Sequence, residues 1–158
     1  MKIVFCKKWN SLLNKPREPI GKEKARSFHD SQTPYTVVFY KNDKLFRIIK
    51  MNFQEYHCEI VYFDMEEREI RSESFHLVEQ RLFMKDVSNR KYQQGKEYSK
   101  LQSFLYQEDG SYRLTEYLPQ PGTTKRLTKT SSGNSDPTVL FRDNWIFDDY
   151  ENLFQEQD

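Results

Sequence analysis

The stretch YKNDKLFR (residues 40–47) places an Asp shortly after an aromatic residue and an Arg four positions after that Asp. The same spacing recurs in YFDMEER (62–68), FMKDVSNR (83–90) and YQEDGSYR (106–113). An Asp side chain accepts hydrogen bonds from backbone N–H groups two residues ahead and so stabilises a turn. Each copy is therefore predicted to mark the bend of one β-hairpin. The predicted bends are at Asp43, Asp64, Asp86 and Asp109.

The segments on either side of these motifs have the composition of β-strands. Residues 36–40 and 59–63 are rich in β-branched and aromatic side chains, which favour strands. In residues 112–117, Tyr, Leu and Glu alternate with Arg, Thr and Tyr, which places two chemistries on two faces. The motif recurs every 21 to 23 residues, a period that fits one hairpin per copy. We therefore predict a mainly β fold: an antiparallel meander of about four hairpins that forms one curved sheet, with a short C-terminal helix.

The chain of 158 residues is predicted to form a single domain in four parts. They are a basic N-terminal strand and loop (1–34), the hairpin repeats (35–118), an exposed loop rich in Pro, Gly, Ser and Thr (119–137) and an acidic aromatic C-terminal segment (138–158). The opening strand is predicted at Lys2–Cys6, with a brief helix as an option around Trp9–Leu13. Residues 123–128 are an optional short strand within the exposed loop.

The C-terminal part carries the signals of two further elements. Residues 139–141 predict a short strand. Asp148, followed three residues later by Glu151, matches the N-terminus of a helix, and the apolar side chains that follow fall on one helical face. This helix is expected to pack against the sheet.

Charge is distributed unevenly although the net charge is only +1. Residues 1–34 carry eight Lys or Arg and three Asp or Glu, whereas residues 136–158 carry one Arg and seven Asp or Glu. The two ends either attract each other or stay solvated, or one of them meets a charged partner. The opening residues contain too short an apolar run for a signal peptide, and the two cysteines form no disulfide framework. We therefore expect a cytosolic protein without a membrane span.

Chemical motifs are sparse. The three histidines, His29, His57 and His76, lack metal-ligand spacing, and Cys58 is predicted to face away from His57 in a strand. The chain has five Gly residues and no Gly-rich phosphate-binding motif. We expect no catalysis, no metal and no cofactor, although a Cys–His pair assembled in space stays an open alternative.

The C-terminal segment is the predicted partner-binding site because it sets aromatic anchors among carboxylates. Its predicted contact residues are Asp143, Trp145, Phe147, Asp148, Asp149, Tyr150 and Glu151. The competing interpretation is that Trp145 and Phe147 cap one end of the core while the acids stay in solvent.

A resemblance gives this site a role. YFDMEEREI (residues 62–70) resembles the Tyr-x-Asp-x-x-Gly-Arg-x-hydrophobic unit of YD repeats in bacterial rearrangement-hotspot toxins, with Glu67 in place of Gly, and is also similar to the hairpins of MORN-type repeats. Residues 35–154 resemble small bacterial immunity proteins encoded beside polymorphic toxins, which end in an Asn-Trp segment and an aromatic-acidic close, here residues 143–145 and 148–151. The resemblance implies a protein that neutralises a cognate toxin domain, such as a nuclease, by binding it. An acidic surface would suit the basic cleft of such a toxin.

Three other functions remain open from the sequence. A lipocalin-like carrier would close the sheet into a barrel around an aromatic cavity. A single-stranded nucleic-acid binder would use Tyr and Phe as stacking platforms, but the near-zero net charge speaks against nucleic acid as the partner. An enzyme would need a site assembled in space. The oligomeric state is not fixed by the sequence.

The triple substitution Trp145→Ala, Asp148→Lys and Asp149→Lys should weaken toxin binding and leave the fold intact, because it removes one anchor and reverses the steering charge. Titration calorimetry with the cognate toxin measures the effect. An unchanged affinity would count against this surface, and a toxin with an acidic site would point instead to the basic residues between Lys7 and Arg26.

Overall fold

A computed structural model describes residues 1–93, 98–119, 122, 125–144 and 146–149. The chain is mainly β, as the sequence predicts, and forms one open antiparallel sheet. The strands are β1 (Lys2–Asn10), β2 (Lys15–Ile20), β3 (Tyr35–Lys41), β4 (Lys44–Met51), β5 (Cys58–Phe63), β6 (Glu69–Val78), β7 (Arg81–Tyr92), β8 (Tyr98–Tyr106), β9 (Ser111–Pro119), β10 (Arg126–Asn134) and β11 (Phe141–Asp143). One α-helix, α1 (Lys22–Asp30), and one 3-10 helix (Pro137–Leu140) complete the described elements.

The strand order is a meander in which neighbours in the chain are neighbours in the sheet. It runs β10-β9-β8-β7-β6-β5-β4-β3-β1-β2, so β10 and β2 are the two edges. β11 lies off this path and pairs with the first residues of β7, Phe141 opposite Phe83. No helix in the described part of the chain is long and apolar enough to cross a bilayer.

Three of the four predicted hairpin bends are confirmed. The β3–β4 turn is Asn42-Asp43, with φ of 52° and 60°, the left-handed pair that a tight hairpin requires. At the β5–β6 turn, the Asp64 carboxylate accepts the backbone N–H groups of Glu66 and Arg68 at 2.9 and 3.0 Å. The Arg68 guanidinium closes this turn by an ion pair to the same Asp at 2.8 Å. At this turn, the Arg that follows the Asp by four positions thus stabilises the bend that the Asp side chain begins.

The prediction of a bend at Asp86 is wrong, because this residue lies inside β7. The chain turns earlier, at Glu79-Gln80, where both residues have positive φ. A register shift in the β6–β7 pairing leaves Lys85 as the extra residue of a bulge. β7 buries a run of apolar residues around this point, and burying that run outweighs the local turn preference of one Asp.

The N-terminal part is more ordered than predicted. The loop assigned to residues 7–34, with its optional helix at Trp9–Leu13, is instead the rest of β1, then β2 and α1. β2 pairs with β1 despite Pro16 and Pro19, because an edge strand tolerates residues that lack an N–H on its outer side. α1 buries Ala25 against the sheet.

The prediction of an exposed loop at residues 119–137 is wrong about the backbone conformation but correct about the exposure of the side chains. β10 occupies residues 126–134 of this range and pairs with β9 at all nine of its residues. Eight of those nine residues are exposed. The strand predicted at 139–141 starts as the 3-10 helix, capped by the Asp136 side chain, and becomes β11 only at Phe141. The predicted C-terminal helix falls largely outside the described residues.

Apolar side chains are buried on both faces of the sheet. The larger cluster lines the face covered by α1, the 3-10 helix and Phe147, and it includes Tyr35, Phe39 and Phe75. A smaller cluster around Val38 and Ile48 lies on the opposite face. The turn after β1 also contacts the β5–β6 turn. The contact is a hydrogen bond from the Asn14 side chain to the Glu67 carbonyl oxygen at 3.1 Å.

Gly110 is the residue that joins the β8–β9 turn to the chain after β10. Its φ is +91°, and an added Cβ would lie 2.2 Å from the Ser135 carbonyl oxygen. Its own carbonyl oxygen accepts the Ser135 N–H at 2.9 Å. Only glycine meets both conditions.

Gly110→Ala should therefore lower the free energy of unfolding by roughly 1–3 kcal/mol, because it adds left-handed strain and a backbone clash. Urea unfolding followed by far-UV circular dichroism measures this. Gly21→Ala is the matched control, since Gly21 has φ of −75° and no atom within 4 Å of the added Cβ. Equal losses in the two variants would contradict the role assigned to Gly110.

Candidate binding surfaces

The C-terminal segment (residues 141–149) is fixed to the sheet by a buried ion pair. Glu73 of β6 is 2 % exposed and its carboxylate lies 3.2 Å from the Arg142 guanidinium of β11. The same carboxylate accepts hydrogen bonds from the Tyr62 hydroxyl at 2.9 Å and from Arg71 at 2.8 Å. Burial, reinforced by this carboxylate, raises the pKa of Tyr62 to about 12, so the hydroxyl stays a donor. The ion pair between Arg142 and Glu73 therefore fixes the position of β11 against the sheet.

Phe147 lies in the core and not on the predicted contact surface. Its side chain is 8 % exposed, and its ring stacks on Phe5 with centroids 5.9 Å apart. The Arg26 guanidinium of α1 lies 5.0 Å from the same ring. For this residue the competing interpretation of the sequence, a cap on the core, describes the structure.

The acidic residues of the segment are exposed, but they lie beside the basic N-terminal part. Asp143, Asp148 and Asp149 are all exposed. Asp148 makes an ion pair of 2.5 Å with Lys22 of α1. The two oppositely charged ends of the chain thus meet, which weakens the net field of this surface. Trp145, Tyr150 and Glu151, the remaining predicted contact residues, lie outside the described residues.

Sequence reasoning missed two features of this region. Ile146 is 70 % exposed and could act as an apolar anchor. Beside Asp148, a groove of about 430 Å³ opens between β1 and β2, with the Lys22–Asp148 ion pair on its rim. Its apolar lining consists of Ile3, Val4, Phe5, Pro19 and Ile20. A groove of this size accepts one or two apolar side chains of a partner. Its residues come from β1, β2, α1 and the C-terminal segment, so no local sequence pattern predicts it.

A second surface is formed by β8, β9 and β10, which we call the wing. No residue of β9 is buried, and β10 is almost wholly exposed. The wing thus extends beyond the covered core as a single layer of sheet. One of its faces carries Phe104, Tyr106 and Tyr112, whose ring centroids lie 5.5 to 5.9 Å apart. All three rings are half-buried.

The other face of the wing carries a central row of hydroxyl side chains, flanked by the larger side chains of Leu101, Leu105, Arg113 and Tyr117. Ser88, Ser103, Thr115 and Thr130 lie in register across β7 to β10. Because paired residues share a face, these hydroxyls form one row across the strands. This face therefore offers hydrogen-bonding groups beside apolar and aromatic side chains.

A row of polar side chains connects the core to the aromatic face of the wing. Arg71 donates to the Asn89 side chain at 2.9 Å. Gln102 donates to Glu116 at 2.7 Å, and Lys100 pairs with that carboxylate at 2.8 Å. These residues lie opposite one another in register from β6 to β9, apart from Lys100. The wing is therefore oriented by these polar contacts together with Phe104 and Tyr106, which pack against the larger apolar cluster.

The two cysteines are poor nucleophiles. Both are buried, and burial raises the pKa of the Cys58 thiol to about 12. Burial raises the pKa of Cys6 as well. A thiol that stays protonated at neutral pH is the opposite of what nucleophilic catalysis requires. In the described residues no group of three or more His, Cys, Asp or Glu side chains could hold a metal ion.

Comparison with known protein families, with curated proteins and with solved structures found no match. The fold and the geometry of these surfaces are therefore the observations from which a function can be inferred.

His29 and His57 form a ring cluster under the C-terminal segment. His29 Nδ1 lies 3.0 Å from the Tyr35 hydroxyl, and its ring centroid is 5.8 Å from that of Phe147. Phe53 packs edge-on against both His29 and His57. Burial lowers the pKa of both histidines below the usual value of 6.5. The folded protein therefore favours their neutral forms.

Stability should fall as the pH drops below about 6.5, because the unfolded chain takes up protons there before the folded one does. Above that pH both states hold neutral imidazoles and the effect vanishes. Urea unfolding between pH 5.5 and 7.5 measures it. Replacing His29 and His57 together by Gln should flatten this dependence, whereas His76→Gln, at the ring pair with Tyr56, should leave it intact. A full pH effect in the double variant would contradict the assignment.

Proposed function

We propose that this chain is a non-catalytic binding protein that neutralises a cognate bacterial toxin domain by direct contact. The observation that carries the proposal is the wing. Three strands extend beyond the covered core, with aromatic side chains on one face and a row of hydroxyls on the other. A single layer of sheet gains little from burial in the isolated chain, whereas a partner laid on it would desolvate rings that are already ordered.

The resemblance of residues 35–154 to immunity proteins supports the finer part of this proposal. Immunity proteins act by occupying a toxin surface, so their requirement is an ordered face and not a reactive group. The wing meets that requirement through its stacked rings and the polar row that fixes it. The exposed acids Asp143 and Asp149, together with Ile146, form a second contact of the same kind, suited to the rim of a basic nuclease cleft.

The lipocalin-like alternative loses its structural basis. A closed barrel has no edges, whereas this sheet is open and ends at β10 and β2. The groove between β1 and β2 lies on the outside of the sheet beside an ion pair, where a partner side chain fits better than an enclosed ligand.

Co-expression with the toxin domain encoded by the neighbouring gene tests the proposal. The unaltered chain should restore growth and bind the isolated domain. Tyr112→Ala and Thr115→Arg address the two faces of the wing, and Asp143→Lys with Asp149→Lys addresses the acidic residues. At least one of these variants should weaken binding by about tenfold or more, because a contact aromatic or charge is lost.

Glu55→Lys with Glu79→Lys is the matched control for the charge reversal, since both side chains are exposed on turns and the net-charge change is identical. Binding to the control should equal that of the unaltered chain, with all variants showing the same circular dichroism. Growth rescue without any measurable complex, or equal affinity for every variant, would refute direct contact at these surfaces.

A further inference from the structure

The two edges of the sheet differ in their protection against pairing with another strand. β2 carries Pro16 and Pro19, and Glu18 between them has a positive φ of 52°, so its outline is irregular. Prolines and bulges are common devices that prevent edge-to-edge association. β10 has neither: its nine residues contain no Pro, have no positive φ outside Gly, and pair with β9 without a register shift. One edge is blocked and the other is regular.

β10 also has the regular backbone that pairing with a further strand requires. Each of its residues has a partner on β9, so the strand is straight and alternate backbone groups point outward from the sheet. Leu127 and Lys129 lie on the same face as Tyr112 and Gly133, and Leu127 is 52 % exposed. Tyr112 lies so close over Gly133 that an added Cβ there would be 2.4 Å from its hydroxyl oxygen. The Tyr112 ring therefore covers the backbone of β10 at Gly133.

Charge favours one kind of occupant for this edge. Residues 125–134 contain Lys125, Arg126 and Lys129 and no Asp or Glu. Lys129 lies opposite Glu116 of β9, a carboxylate that already pairs with Lys100, so cations still outnumber carboxylates at this edge. Pairing of two copies through β10 would bring six cations together at one junction, which cross-strand repulsion disfavours. An extended segment that carries carboxylates gains the opposite interaction.

We propose that β10 captures an extended acidic segment of a partner protein as an additional strand of the sheet. Backbone hydrogen bonds to β10 supply the affinity. Side chains determine which segment binds. The incoming strand places a carboxylate beside Lys129 and an apolar residue beside Leu127, two positions apart on the same face. The inference rests on the proposed binding role, and it names the type of segment by which the partner would be held at the wing.

The test uses the full chain and a synthetic peptide, Thr-Val-Thr-Glu-Thr-Glu-Thr-Val-Thr, whose palindromic sequence fits either strand direction. Its Lys counterpart and a fully N-methylated Glu peptide are the controls for charge and for backbone pairing. Fluorescence anisotropy measures affinity, and amide hydrogen exchange locates the contact. The Glu peptide should bind and slow exchange at the outward amides of β10, and neither control peptide should do so.

Variants of the chain sharpen the result. Lys129→Gln should weaken binding of the Glu peptide by about two- to fivefold, because it removes one cross-strand charge pair without placing a second carboxylate opposite Glu116. Lys15→Gln makes the same charge change on exposed β2 and should leave binding unaltered. Protection at β2, equal binding of the Glu and Lys peptides, or slowed exchange in β10 that depends on protein concentration without peptide would each overturn the proposal. Since no toxin is present, such a failure leaves the proposed function standing, while failure of the toxin assay leaves the peptide result intact.

Discussion

The fold depends on satisfying one carboxylate that the sheet buries. Glu73 lies in the middle of β6, on the same face as Val87 and Ile60. An unpaired charge there would cost several kcal/mol, and Arg142, Arg71 and Tyr62 all reach it. Arg71 and Tyr62 belong to the sheet itself, but Arg142 arrives from the far end of the chain. Pairing Glu73 therefore dictates where the C-terminal segment lies.

This arrangement divides the molecule into two regions with different physics. Around β1 and β3–β7 both chain ends close over one face, and apolar burial stabilises the structure. Beyond β7 no described helix covers the sheet. There, contacts between aromatic rings and between polar side chains in register stabilise the strands. The covered region resembles an ordinary globular core, while the wing behaves as a platform whose exposed faces and edge are available for contacts with other molecules.

The sequence predicts the fold class well because most of its bends are encoded locally. Asp64 and Arg68 make in the structure the contacts that their spacing implies. Asp86 carries the same spacing, yet its neighbours Phe83 and Val87 are buried, and the strand continues through a bulge without turning back. That balance depends on tertiary contacts, so the motif alone does not reveal it. Tertiary context also decides β10: its exposed Ser and Thr residues are typical of a loop, and its strand conformation depends on pairing with β9.

The candidate surfaces were less predictable. The aromatic composition of the C-terminal segment is the same whether a ring faces solvent or core, and Phe147 became buried only because α1 supplied Arg26 and the sheet supplied Phe5. The return of residues 137–149 to the core has a consequence for biosynthesis. While the ribosome is still translating the last hairpins, the paired β3–β7 ribbon holds Glu73 without Arg142 and leaves much of its apolar face wet. A nascent chain that still lacks Arg142 therefore exposes apolar surface and is prone to aggregate until its last residues emerge.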